Sequence, residues 1–386
     1  MTQVIFTERC DYMKVIAAID SFKGSMTSME AGNAVKKGIL AAKPDAEVVV
    51  NPLADGGEGT VDALIEGLGA KKIPVTVTGP LGEKVSCYYG FLEETKSAVM
   101  EMASAAGITL VTKKDPLRAS TYGVGEMIAD ALKRGCKNFM IGIGGSATND
   151  GGIGMLKALG FEFFDEDGND VGEGAAALVK IEVIRTENKN PLLSGAKFQI
   201  ACDVKNPLCG KQGATYIFGP QKGVTEEQKE QVDEAMRHYA DVTKESLDCD
   251  FADCEGAGAA GGLGYAFLSY LAGELIPGVE LILQATGLEE KMKNADVVVT
   301  GEGRLDAQTV MGKAPAGVAA LAKKYNAKVI AFAGSVAPEA KVCNRAGIDA
   351  FFPILRGVVT LEEAMKNENA KQNLADTAEQ VIRLMK

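Results

Sequence analysis

Six short segments of this 386-residue chain gather carboxylates, cations, hydroxyls and glycines densely enough to do chemistry. Asp20-Ser21-Phe22-Lys23-Gly24-Ser25 sets a carboxylate, two hydroxyls and an ammonium around a glycine. Such a turn can hold an anion, with Lys23 supplying charge and a following helix its N–H groups and dipole. An ordinary turn with Asp20 as a local cap accounts for the same residues. Asp55-Gly56-Gly57-Glu58-Gly59-Thr60 places two carboxylates on a backbone that can approach a ligand closely, a pairing suited to magnesium or to substrate hydroxyls. Gly142-Ile143-Gly144-Gly145-Ser146-Ala147-Thr148-Asn149-Asp150-Gly151-Gly152 follows an apolar run and opens a helix, offering amides and hydroxyls to a phosphate. It matches neither the P-loop nor the dinucleotide fingerprint. Cys202-Asp203-Val204-Lys205-Asn206-Pro207 puts Asp203 where a strand ends, and Gly219-Pro220-Gln221-Lys222-Gly223 adds a lysine turn. Gly301-Glu302-Gly303-Arg304-Leu305-Asp306-Ala307-Gln308-Thr309 closes the series with acidic and basic groups together.

Glycine loops, cations and carboxylates at strand ends, without histidine chemistry, make the part list for phosphoryl transfer. Catalysis there is mostly positioning and neutralisation of charge by metal and cations. The chain's one histidine, His238, sits in a polar run from Glu226 to Asp241 and reads as a surface helix residue rather than a triad member. A dehydrogenase would need G-x-G-x-x-G directly after a strand and an acidic residue about 20 positions on; no segment supplies it. A non-catalytic hydroxy-acid-binding regulator is the alternative, but an anion pocket gains nothing from carboxylates at 20, 55, 58, 203 and 306 unless a metal or a base is required.

The elements that must position these groups are short Val/Ile/Ala-rich runs followed by glycine loops and helix-period segments, the pattern of a parallel sheet in an α/β fold. Strands are expected at Lys14 to Ile19, Glu47 to Val50, Asp296 to Thr300 and Lys328 to Phe332. Thr27 and Glu30 form a T-x-x-E capping box for a helix over 28–41, and Pro315 suits the first turn of another. Lys23 and the set Glu302, Arg304, Asp306 then fall in loops at the carboxyl edge of one sheet, where open α/β sheets bind ligands. Longer mixed segments in the middle indicate an inserted second domain, 81–288, within a discontinuous first domain, 13–80 with 289–386; residues 1–12 form an extension.

A formal charge of -11 and a pI near 4.9 oppose nucleic acid and anionic membranes as partners. Eight irregularly spaced cysteines without C-x-x-C indicate reduced thiols, and the N-terminus lacks a secretory pattern, so a cytoplasmic protein is expected. The uncharged stretch Gly256 to Gly273 is too glycine-rich for a membrane span and reads as a loop leading into a buried helix.

Taken in order, D-S-F-K-G-S, A-D-G-G-E-G-T, G-G-S-A-T-N-D-G-G, C-D-V-x-N-P, G-P-Q-K-G and T-G-E-G-x-x-D-x-Q-T resemble the bacterial glycerate kinases that lack both Walker and protein-kinase motifs. The resemblance runs from about Met13 to the C-terminus. It implies a flavodoxin-like parallel-sheet domain interrupted by a second α/β domain, an active site in the cleft between them, ATP as co-substrate with Mg2+, and D-glycerate as acceptor. The product is a phosphoglycerate, most often the 2-phosphate, with the 3-phosphate as the alternative; the protein is expected as a monomer or homodimer. On this reading Asp203, Lys23 and Asp20 are catalytic, with Asp203 either a metal ligand or the general base and Glu302 a second metal ligand. Ser21, Asp55, Gly56, Gly57, Glu58, Arg304 and Asp306 hold the acceptor, and Gly144, Gly145, Ser146, Thr148, Asn149, Asp150 and Lys222 hold nucleotide phosphates.

Overall fold

The strand Lys14–Ile19 reads Lys-Val-Ile-Ala-Ala-Ile, and Val15 through Ile19 are wholly buried, the near-continuous apolar run of a strand covered on both faces. The computed structural model describes residues 13–54 and 60–385. The Met1 to Tyr12 extension and the residues Asp55, Gly56, Gly57 and Glu58 lie outside the described residues. The chain divides into two compact units, one built from residues on either side of the other.

In the discontinuous unit, five strands lie in the order Ala350–Pro353, Lys328–Val336, Val297–Leu305, Lys14–Ile19, Glu47–Pro52, every neighbouring pair parallel. Numbered by their sequence within this unit, that is the flavodoxin-like order 2-1-3-4-5, whose switch point lies between Lys14–Ile19 and Val297–Leu305. The helix Ser28–Ala42 begins as expected. Thr27 accepts from the Glu30 N–H at 3.2 Å while Glu30 accepts from the Thr27 N–H at 2.9 Å. Ser28 ties the helix to the sheet, its hydroxyl donating to the Ile19 carbonyl at 2.7 Å and accepting from the Leu53 N–H at 2.9 Å. Gly38 lets this helix meet the C-terminal helix Asn367–Leu384 closely; a Cβ there would stand 2.0 Å from the Ala375 carbonyl oxygen.

The third strand corrects the sequence reading. It was expected to end at Thr300, yet pairing with Lys328–Val336 continues through Arg304 opposite Ser335 and Leu305 opposite Val336. Gly301 permits the close approach, since a Cβ there would lie 2.1 Å from the Phe332 carbonyl oxygen. Glu302 and Arg304 are therefore strand residues rather than loop residues.

The contiguous unit carries a six-stranded sheet in the order Glu274–Ile276, Lys197–Ala201, Asn138–Gly142, Ser97–Glu101, Lys84–Leu92, Lys71–Thr78. The first four strands run parallel, and the last two join antiparallel. Phe139 and Phe198 stack at 4.8 Å between ring centroids in its core, with Phe267 against Phe198 and Tyr239 nearby in the same apolar cluster. The division of the chain falls after Asp55 and Leu281 rather than near 80 and 288. The cause is the hairpin: Lys71–Thr78 pairs along its whole length with Lys84–Leu92, so it goes with the second sheet. His238 lies on the helix Lys229–Leu247, its Nε2 2.8 Å from the Ile181 carbonyl oxygen. Among the described residues the cysteines are free thiols, and no helix is long and apolar enough to cross a membrane.

Candidate active site

At the carboxyl edge of the five-stranded sheet the strand ends open into a pocket of about 450 Å³. Asp20, Ser21, Lys23, Glu302, Arg304 and Asp306, scattered over some 290 positions of sequence, all line it. Each strand that borders the pocket supplies part: Asp20 follows the first, Glu302 and Arg304 sit on the third, Gly334 and Ser335 on the fourth, and Ile354 follows the fifth. The segment around Leu361, Ala364 and Met365 gives it an aliphatic side.

Local geometry fixes the charged groups. Asp20 is buried, its backbone N–H bonded to the Gly301 carbonyl at 2.9 Å and its carboxylate accepting the Ser21 N–H at 2.7 Å. The Phe22 and Met26 backbones then pair across a tight turn that leaves Lys23 exposed. Asn367 on the C-terminal helix braces this turn, donating to the Ser25 carbonyl at 2.8 Å and to Glu30 at 3.0 Å. On the third strand the exposed Arg304 stands 3.7 Å from Asp306, whose carboxylate caps the next turn by accepting the Gln308 N–H at 2.9 Å. Glu302 is 8% exposed and accepts from the Thr309 hydroxyl at 2.7 Å and from the Lys313 ammonium at 3.3 Å.

The glycine loop of the other unit behaves differently. Gly144 and Gly145 are exposed, but Ser146, Thr148, Asn149 and Asp150 are all buried. Asp150 accepts from the Thr121 N–H and hydroxyl, both at 2.8 Å, and from the N–H groups of Gly152 at 3.2 Å and Gly154 at 3.3 Å. The helix that follows, Ile153–Ala158, is six residues long, and two N–H groups at its start are thus taken by a side chain of the loop itself. Lys222 is also buried; its ammonium donates to the Thr148 carbonyl at 2.7 Å. Asn149 donates to Thr215 at 3.0 Å, so both ends of the helix Ala214–Lys222 grip the loop. Burial raises the Asp150 carboxyl above its usual range against the pull of its four donors, and burial lowers the Lys222 ammonium to about 7 against the attraction of Asp150. The Thr148 hydroxyl and the Asn149 side-chain oxygen are buried with no hydrogen-bond partner among the described residues.

Asp203 stands exposed beyond Lys197–Ala201 and accepts the N–H of Gly278, the first residue of the helix Gly278–Ala285, at 2.9 Å. Among the described residues no three of His, Cys, Asp and Glu are grouped as a metal cage. Sequence reasoning missed Lys313, Ser335 and the aliphatic side of the pocket. The lysine had a signal in Gly312-Lys313-Ala314-Pro315, a cation directly before a helix start, whereas residues 354–365 carry no polar motif that would have drawn notice.

The sequence profile of the glycerate kinase family matches residues 15–386. A glycerate kinase of Bacillus subtilis (strain 168) is 44% identical over 97% of this chain and 98% of its own length. A glycerate 2-kinase of Escherichia coli (strain K12) is 45% identical over 95% of this chain and 98% of its own. A crystal structure of a glycerate kinase 2 from Salmonella typhimurium LT2 superposes with a TM-score of 0.89 at 42% identity, covering 97% of this chain and 98% of that one. The likeness in sequence and in fold is to phosphotransferases that act on an alcohol group. The chain belongs to the glycerate kinase family.

Proposed function

We propose that this protein transfers the γ-phosphoryl group of MgATP to the 2-hydroxyl of D-glycerate, as a cytoplasmic enzyme. The observation that carries the reading is the pocket in which Lys23 and Arg304 share one wall system with Asp20 and Asp306. Cations there suit a carboxylate, and carboxylates suit hydroxyls, which together describe a small hydroxy acid. The choice of the 2-hydroxyl is supported by the name of the Escherichia coli relative.

In this reading Lys23 and Arg304 bind anionic oxygens of the acceptor while Ser21, Asp20 and Asp306 take its hydroxyls. Asp55, Gly56, Gly57 and Glu58 are assigned to the acceptor from sequence alone. Gly144 and Gly145, the exposed part of their loop, offer backbone N–H groups to the donor phosphates; the buried Ser146, Thr148, Asn149, Asp150 and Lys222 hold that loop in shape. Asp203 removes the proton from the attacking hydroxyl or holds the metal. Magnesium carried by nucleotide phosphates needs one or two carboxylates rather than a full protein cage, a requirement that an exposed Asp203 fits better than Glu302, whose oxygens already hold Thr309 and Lys313. When bound, the ion neutralises charge on the transferring phosphoryl group.

Phosphorus NMR of the product from D-glycerate, ATP and magnesium tests both parts at once. A 2-phosphate resonance is expected. A 3-phosphate product would overturn the regiochemistry, and ATP consumption that does not depend on glycerate would overturn the reading.

A further inference from the structure

One cation of the pocket has no part in the assignments above. Lys313 lines the same pocket as Lys23 and Arg304, and it occupies the N-cap position of the ten-residue helix Ala314–Lys323, which no side chain caps. A cation is ill placed there, because the helix dipole presents positive charge at its start. The surroundings nonetheless aim it. Its ammonium lies 3.3 Å from one oxygen of the buried Glu302. The other Glu302 oxygen accepts the Thr309 hydroxyl at 2.7 Å, and that hydroxyl accepts the Asp306 N–H at 3.1 Å. An ammonium has three donors, and 34% of the Lys313 side chain remains open. A lysine directed into a pocket beside an uncapped helix start, and pinned by a carboxylate fixed in turn by a hydroxyl, is built to receive a negatively charged oxygen.

We propose that Lys313 is a substrate-binding residue of the phosphotransfer reaction, its ammonium donating to a carboxylate or phosphoryl oxygen in this pocket, with Glu302 and Thr309 as the positioning pair behind it. The inference rests on the function proposed above. Its competitor is a purely structural Lys313–Glu302 ion pair.

The test compares the parent, Lys313→Met, Lys313→Arg and the double variant Glu302→Gln with Lys313→Met. Calorimetry measures D-glycerate binding without nucleotide, and binding of a non-hydrolysable ATP analogue with magnesium but without glycerate; thermal unfolding is read in parallel. Lys313→Met should weaken one of the two ligands about 10- to 100-fold, the usual value of a charge-assisted hydrogen bond, and which ligand weakens tells carboxylate from phosphoryl. Lys313→Arg should recover part of that affinity. The double variant, with no buried charge left unpaired, should regain the thermal stability lost by Lys313→Met but not the affinity. Unchanged affinity for both ligands in Lys313→Met would overturn the inference while leaving the function standing, and so would affinity that returns together with stability in the double variant. A parent that binds neither ligand would overturn the function, and the inference with it.

Discussion

The pocket of the discontinuous unit and the glycine loop of the contiguous unit draw on the same residue types and use them in opposite ways. Around the pocket the cations are exposed or half-open: Lys23 projects from a turn, and the Arg304 side chain is 66% accessible. In the loop, Asp150 and Lys222 are sealed, and their polar atoms are spent on Thr121, Gly152, Gly154 and the Thr148 carbonyl. A charge that has left water must be compensated on the spot and is then committed to the scaffold, whereas a charge still facing solvent can exchange water for a ligand. The lesson is that a charged motif identifies a ligand contact only after its burial is known.

The most severe test concerns Asp203, an exposed carboxylate of the contiguous unit. Asp203→Asn should lower kcat by about 10² to 10⁴ if it is the general base, while the stability cost stays near 1 kcal/mol for a weakened contact at the Gly278 helix start. Steady-state kinetics and thermal unfolding of the same preparation check it. Normal turnover here, with loss in Asp20→Asn or Asp306→Asn, would move the base to the pocket of the other unit.

Next in size, Lys222→Met leaves the buried Thr148 carbonyl without its donor and should destabilise the contiguous unit by about 1–3 kcal/mol in denaturant unfolding. Should the variant instead keep parental stability and lose affinity for nucleotide, Lys222 would be a ligand contact and the contrast between the units would fail. Lys23→Ala is the opposite case. It should raise the KM of one substrate about tenfold or more with a smaller change in kcat, and leave stability within about 0.5 kcal/mol.

The same buried lysine also sets a pH dependence. The Lys222 ammonium titrates near 7 in the fold against 10.5 when unfolded. Between those values the unfolded chain holds a proton that the folded chain lacks, so raising the pH through that window stabilises the fold. Below about 7 both forms are protonated, and the cost of burying the charge is felt in full. Lys222→Met should lack this rise. A parental slope retained in the variant would mean that other groups produce it.

Local chemistry was the readable part of the sequence. Thr27 and Glu30 announced their helix because a capping box is complete within four residues, and Lys14–Ile19 announced its strand because burial on both faces leaves an unbroken apolar run. The six pocket residues singled out beforehand also followed from local rules, as groups just past a strand or beside a glycine; Glu302 and Arg304 did so despite lying within their strand. What depends on distant partners was not readable. The third strand runs on to Leu305 because Lys328–Val336 continues beside it, and the chain divides at 55 rather than 80 because a hairpin partner claims residues 71–78. The loop at 144–150 looked uniformly available, yet the helix Ala214–Lys222 and Thr121 bury all but its first glycines.

The close contact at Gly38 also bears on how the chain is made. The helix that completes the surface around Ser28–Ala42 starts 325 positions further along the chain, at Asn367, and the strand beside Lys14–Ile19 begins only at Val297. A ribosome delivers the whole second sheet before the partner of the first strand's open side has emerged. At about 5–20 residues per second, the 278 positions from Ile19 to Val297 keep that apolar strand waiting about 14–56 s for its neighbour. A chain stalled before Asn367 should expose the Gly38 face to proteolysis, while the contiguous unit already resists it.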